Sequence, residues 1–392
     1  MTIHGWTAPG FERVRESFEQ NFAAGLDVGA AFTAYHHGEK VVDLWGGVAD
    51  EATGRPWTED TIALVFSTTK AATAICANRL ASEGRLDMNA PVAEYWPEFA
   101  RAGKADIPVD YLLSHRAGLP WVDAPLRLDE ALAWDPMIHA LEQQAPIWEP
   151  GTAHGYHAVT YGYLVGEVVR RITGKSIGTY FRDEVGDPLG ADFWIGLPEA
   201  FEPRVAPLIG GLGMDSKVED HPDVDPEAMA ALMALVGPES VLGRALSAGG
   251  AFNHADMFNT RAVHAAEVPA AGGIGDARSI ARMHAACIGT VDGIRLFGPD
   301  QLKDATTQRS VGPDKVILDL DLQFGLGFIV PSSLLQLGGP SSFGHFGMGG
   351  SAGWADPDAG FAFGYIMNKM ELGMAGDLRS YSLINACYDA IT

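Results

Sequence analysis

The chain has 392 residues, 27 Lys+Arg against 50 Asp+Glu for a formal net charge of −23, and is 47% hydrophobic and 20% charged. That length and apolar fraction fit two or three domains, or one large composite, around a sizeable core, and exclude intrinsic disorder. The acidity, with no basic run, excludes a nucleic-acid partner and opposes an anionic membrane surface.

In chain order, Phe11–Ala24 reads as an amphipathic helix, with Phe11, Val14, Phe18 and Phe22 on one stripe. Gly29–Tyr35 and Lys40–Trp45 read as strands joined by a turn at His37-Gly38-Glu39, hence an antiparallel hairpin. The apolar run Thr61–Val65 leads into Phe66-Ser67-Thr68-Thr69-Lys70 and a helix to about Ser82, with Gly84 placed to end it in a left-handed conformation. From about Pro91 to Gly289 the pattern is mostly helical, clearest at Val159–Thr173, where Leu164, Val165, Val168, Val169 and Ile172 keep helical spacing and Gly174 follows. Ala200–Ala270 holds an acidic loop, His221–Glu227, and Ala- and Met-rich stretches, and is expected to cover a cleft. Strand character returns over Phe324–Pro331, Phe343–Ala355 and Phe361–Asn368, the last two separated by Asp356-Pro357-Asp358-Ala359-Gly360. Leu378–Ile391 reads as a closing helix.

Strands at both ends with helices between them predict an α+β fold. Residues 1–90 and 290–392 are expected to form a discontinuous antiparallel sheet domain, and 91–289 an inserted, mainly helical one with a possible cleft-covering segment at 200–270. A ligand site is expected in the cleft between them. Cys76, Cys287 and Cys387 lie far apart without zinc spacing, so no disulfide framework is expected and the odd count fits a reducing compartment. Met1–Phe22 lacks the apolar core of a signal peptide, and the longest apolar run, Ala228–Val236, is too short for a span. The expectation is a cytoplasmic globular protein.

Three segments carry chemistry. Ser67-Thr68-Thr69-Lys70 is the single Ser-x-x-Lys of the chain. On a helix, residues three apart share a face, so the Lys70 amine can reach the Ser67 hydroxyl. A desolvated amine can take the serine proton, and the helix amino terminus favours a developing oxyanion. The plain alternative is an N-cap serine and an exposed lysine. Tyr156, just before the helix at Val159, can project a phenol into a cleft, where a cationic lysine would lower its pKa for proton transfer; otherwise it is a core tyrosine. Phe343-Gly344-His345-Phe346-Gly347-Met348-Gly349-Gly350-Ser351 is glycine-dense, marking either a strand approached closely by a ligand and able to offer a main-chain N–H, or a Gly-rich bulge.

These segments in this order resemble the serine β-lactamase and penicillin-binding-protein superfamily, and within it the class C β-lactamase-like carboxylesterases, the family VIII esterases. The resemblance also takes in Leu80–Phe99, Leu112–Leu119, Glu149–Ser176, Ala271–Arg282 and Phe343–Asn368. It implies a β-lactamase/transpeptidase-like fold, Ser67 as the acylated nucleophile, Lys70 as its base partner, and Tyr156 as the Tyr of a Tyr-x-Asn motif. It places His345-Phe346-Gly347 at the Lys-Thr-Gly position, with Met348 supplying the second oxyanion amide beside Ser67. The sequence departs from the motifs at Ala158, in place of asparagine, and at His345, in place of lysine. Both changes remove groups suited to an amide-bearing or carboxylate-bearing β-lactam and point to neutral esters.

Gly349-Gly350-Ser351-Ala352-Gly353 matches the Gly-x-Ser-x-Gly nucleophile elbow, but that fold places its histidine after the serine, and the last histidine here is His345. It is set aside as catalytic. His36, His37, His154 and His157 form no ligand motif, and Asp220–Glu227 lacks the pattern of a calcium loop, so neither metal nor cofactor is expected. The function read from sequence is a serine carboxylesterase acting on small-molecule esters. A β-lactamase or acyltransferase of the same fold and a catalytically silent binding or sensor protein remain as alternatives, and the oligomeric state is left open. Ala228–Leu246 is expected to help line the acyl pocket.

Overall fold

The computed structural model describes residues 2–210, 234, 237–371 and 377–391. The acidic stretch Asp220–Glu227, and all of Ala228–Val236 but Ala234, lie outside them.

The main sheet has nine strands. They are β1 (Ile3–Thr7), β2 (Gly29–His36), β3 (Glu39–Asp50), β4 (Arg55–Pro56), β8 (Gln323–Phe324), β9 (Ile329–Val330), β10 (Phe343–Phe346), β11 (Ala352–Asp356) and β12 (Phe361–Met367). The order is β1-β3-β2-β12-β11-β10-β9-β8, with β4 paired to β3, so β12 joins the amino-terminal hairpin to the carboxy-terminal strands. The pairings are antiparallel, with Phe32 opposite Leu44 across β2–β3 and Phe363 opposite Ala34 across β12–β2. In the hairpin turn His37 and Gly38 both have positive φ, +50° and +82°, the twist a tight hairpin needs.

Side chains alternate across this sheet, as period-two geometry requires. Phe32, Phe361, Phe363 and Tyr365 face a core shared with Val14, Phe18, Leu383 and Ile384 of the terminal helices, Glu12–Ala23 and Leu378–Ile391. Tyr35, Ala362 and Ile366 face the other way, into a core shared with Ile280 and Ala281. Helix Ala277–Ile288, grouped with the insertion in the sequence reading, therefore packs on the sheet, against β2, β11 and β12.

Two expected strands are broken. Phe324–Pro331 is the short hairpin β8–β9, and Phe343–Ala355 is the pair β10–β11, turned at Gly347–Ser351 where Gly349 and Gly350 take φ of +85° and +122°. The inserted region also contains strand: its β6 (Phe193–Ile195) and β7 (Gly273–Gly275) join β5 (Ala63–Leu64), which precedes it in the chain, in a separate three-stranded sheet of order β5-β7-β6.

Helix Thr69–Ser82 is buried on nearly every side, from Thr69 through Asn78 and at Leu80, as its Ala-rich sequence without an amphipathic stripe allows. It packs on helix Thr160–Thr173 and touches β10, between the insertion and the sheet. Among the described residues no helix is long and apolar enough to cross a membrane.

Candidate active site

Strand β5 ends at Leu64, and the chain makes one 3-10 turn, Phe66–Thr68, before entering helix Thr69–Ser82. Phe66 sits at φ +44°, a conformation costing a bulky residue on the order of 1–3 kcal/mol, so the surroundings must hold it. Thr69 does part of this: its hydroxyl donates to Phe66 O at 2.5 Å and accepts from the Gly273 amide at 2.8 Å. The turn presents Ser67 at a cavity of about 260 Å³ lined by Phe66, Leu246, Phe252, Phe258, Met348 and Met370 among others.

Lys70 Nζ lies 3.1 Å from Ser67 Oγ, as the three-residue spacing implies. The amine is fully buried, 2.7 Å from Ala158 O and 3.0 Å from Ala270 O. Burial holds its pKa well below the ordinary 10.5. A neutral amine has two N–H bonds and one lone pair. In the neutral form the two carbonyls can take both N–H bonds and the lone pair can face the serine hydroxyl, which accepts from Nζ when the amine is protonated.

Tyr156 lies over the same group, with Lys70 Nζ 4.7 Å from its ring centroid, and a hydrogen bond links its phenol to Ser67. The sequence reading lowers this phenol's pKa through a lysine cation; in the structure burial raises it above the ordinary 10.0, against the smaller effect of the Ser67 bond. Desolvation outweighs charge because it acts on both partners, lowering the lysine pKa and raising that of the tyrosine. Tyr156 is held from behind by Asp314, whose Oδ1 accepts the Tyr156 amide at 3.0 Å and the Val316 and Ile317 amides at 2.8 and 2.9 Å. Phe324 stacks on its ring at 5.9 Å.

The third segment divides. Met348 is 39% exposed and lines the cavity beside Ser67, and its amide makes no hydrogen bond among the described residues. Gly347 is buried where β10 ends: a Cβ there would stand 2.1 Å from Val65 O and 2.2 Å from Ser351 Oγ, so only glycine lets this strand press against the Ser67 turn. His345 is placed differently from the substrate-binding role read for it. It is 2% exposed, absent from the cavity lining, bonded through Nδ1 to Phe346 O at 2.7 Å, and its ring lies 6.0 Å from that of Tyr156. Burial pushes its pKa down to about 3, so it is a neutral ring behind the tyrosine.

The reading from sequence missed Ala158 O, Ala270 O and Asp314. Main-chain acceptors leave no side-chain signature. The small-residue run Ala270-Ala271-Gly272-Gly273 is the one sign that backbone comes close here, and Thr73 fixes it by donating to Pro269 O at 2.7 Å. Among the described residues no group of His, Cys, Asp or Glu could hold a metal ion. Cys76, Cys287 and Cys387 are buried free thiols.

The β-lactamase family model matches residues 18–386. The chain belongs to the β-lactamase family. Within that family it is 35% identical over 387 residues to the esterase/beta-lactamase LipL of Mycobacterium tuberculosis, covering 94% of this chain and 83% of that one. The crystal structure of a family VIII carboxylesterase superimposes with a TM-score of 0.88 at 39% identity, covering 100% of both chains. A penicillin-binding protein homologue from Caulobacter crescentus gives a TM-score of 0.86 at 38% identity, again covering 100% of both. The β-lactamase and penicillin-binding-protein-like fold read from sequence is therefore the fold of this chain.

Proposed function

We propose that the chain hydrolyses small carboxylic esters through an acyl-enzyme on Ser67. It is a carboxylic ester hydrolase on the β-lactamase fold, a class supported by the likeness to a family VIII carboxylesterase and to LipL. The observation that carries the assignment of residues is the Lys70 amine, buried and hydrogen-bonded to two main-chain carbonyls, 3.1 Å from a hydroxyl that opens on a cavity.

In acylation Ser67 Oγ bonds to the ester carbonyl carbon as its proton passes to Lys70. The carbonyl oxygen becomes an oxyanion held by the Ser67 and Met348 amides. Collapse breaks the bond to the alkoxide, which takes a proton from Tyr156, and Lys70 returns one to the phenolate. In deacylation water attacks the acyl-enzyme, gives up its proton through the same pair, and the acid leaves with Ser67 restored. An alcohol in place of that water would make the reaction an acyl transfer.

The cavity favours esters over β-lactams. No lysine or arginine lines it among the described residues, and Asp256 adds a carboxylate to its wall, so a β-lactam carboxylate finds no permanent cation there. His345, at the family's lysine position, is neutral and buried. The name of LipL includes β-lactamase activity, which makes ring opening by the same serine the second reading. With a chromogenic butyrate ester and a chromogenic cephalosporin, kcat/KM is expected to favour the ester by about 100-fold or more, the scale of an unpaired buried charge. Equal values would support the second reading. A cytoplasmic location belongs to the same proposal, small diffusible esters being its substrates.

The pH dependence follows from the working form of the base. Activity requires neutral Lys70, so kcat/KM rises with pH through the lowered lysine pKa and then levels. Tyr156, raised above 10.0, adds no descending limb below about pH 10. A steady-state profile falling between about pH 7 and 9 would contradict this assignment, since it would require a protonated lysine.

A further inference from the structure

The Gly-x-Ser-x-Gly segment set aside as a nucleophile has another place in the site. Ser351 is wholly buried at the start of the approach to β11. Its hydroxyl donates to Val65 O at 2.7 Å and lies 3.0 Å from Thr68 Oγ1, while its carbonyl accepts the Gly347 amide at 2.7 Å. Val65 and Thr68 bracket Phe66 and Ser67, the turn held at φ +44°. Gly347 and Ser351 bracket Met348. The two amides available to an oxyanion thus come from segments distant in sequence, and one hydroxyl spans both. The absence of a Cβ at Gly347 lets the segments meet, and Arg379 secures the far side by donating to Gly349 O at 2.5 Å.

We propose that Ser351 is a positioning residue that sets the separation of the Ser67 and Met348 amides, and so the fit of the oxyanion hole to a tetrahedral centre. The proposal rests on the serine ester hydrolase reading. Oxyanion stabilisation is geometric, and displacing a donor by a fraction of an ångström weakens the transition state more than the bound substrate.

The test compares wild type with Ser351→Ala, Thr68→Val and the double variant, all normalised to the fraction of Ser67 that a fluorophosphonate labels. Two quantities are read: kcat and KM for a chromogenic butyrate ester, and the inhibition constant of phenylboronic acid, whose Ser67 adduct is tetrahedral. Ser351→Ala is expected to lower kcat by about 10–100-fold with KM within about 3-fold, and to weaken the boronate by a similar factor. Thr68→Val, which keeps the side-chain shape, is expected to cost a smaller factor of the same kind and to add little on top of Ser351→Ala. Labelled Ser351→Ala protein with unchanged kcat and boronate affinity would overturn the proposal, as would a fall in kcat with boronate affinity unchanged. Should Ser351→Ala not fold, Thr68→Val decides by the same two readouts. Ester turnover surviving Ser67→Ala would instead overturn the underlying reading.

Discussion

Ser67→Ala is expected to lower kcat for a chromogenic butyrate ester by about 10⁵-fold, the scale seen when a hydrolase loses its nucleophile. Alanine removes one oxygen from a turn fixed by other groups: Thr69 bonds to Phe66 O and Gly273, and Ser351 bonds to Val65 O. The variant should therefore fold and keep its cavity. Substrate binding, measured by equilibrium dialysis of an ester the variant no longer turns over, should change by less than about 3-fold, because the cavity walls are largely apolar. A variant retaining a tenth of wild-type turnover would place the chemistry elsewhere.

Lys70→Met is expected to lower kcat by about 10²–10⁴-fold, the usual contribution of a positioned general base. Methionine fills much of the lysine stem without supplying a lone pair for the Ser67 proton. It also leaves Ala158 O and Ala270 O without their donor, and an unsatisfied buried acceptor costs roughly 1–3 kcal/mol, so a moderate fall in Tm should accompany the loss of rate. Lys70→Arg separates the two effects. It restores donors to the carbonyls but stays protonated, so stability should recover in part while turnover does not. Recovery of turnover with arginine would show that Lys70 acts as a cation.

Much of this was legible in the sequence, and the parts that were not have a common cause. The Ser67–Lys70 pairing follows from helical spacing, the closing helix Leu378–Ile391 has the predicted bounds, and the turn at Asp356–Gly360 separates β11 from β12 as its composition requires. What failed depended on burial. The direction of the Tyr156 pKa was argued from a neighbouring charge, and the low dielectric around both groups reversed it. His345 was placed in the substrate site by its motif position, and packing turned it behind Tyr156. Lys70's two acceptors are main-chain atoms of Ala158 and Ala270, which any residue could supply. The single strand read over Phe343–Ala355 overlooked that Gly349-Gly350 can adopt the positive φ values that fold it into two. Leu246 lines the cavity as expected for the end of Ala228–Leu246.

The most direct test of a Ser67 acyl-enzyme is covalent labelling. The protein is treated with a fluorophosphonate, digested, and the modified residue located by peptide mass spectrometry, in parallel with Lys70→Met. The account predicts one adduct per chain, on Ser67, formed in Lys70→Met about 10²-fold more slowly or worse. An adduct on Ser351 or on any other residue, or labelling equally fast without the lysine, would contradict it.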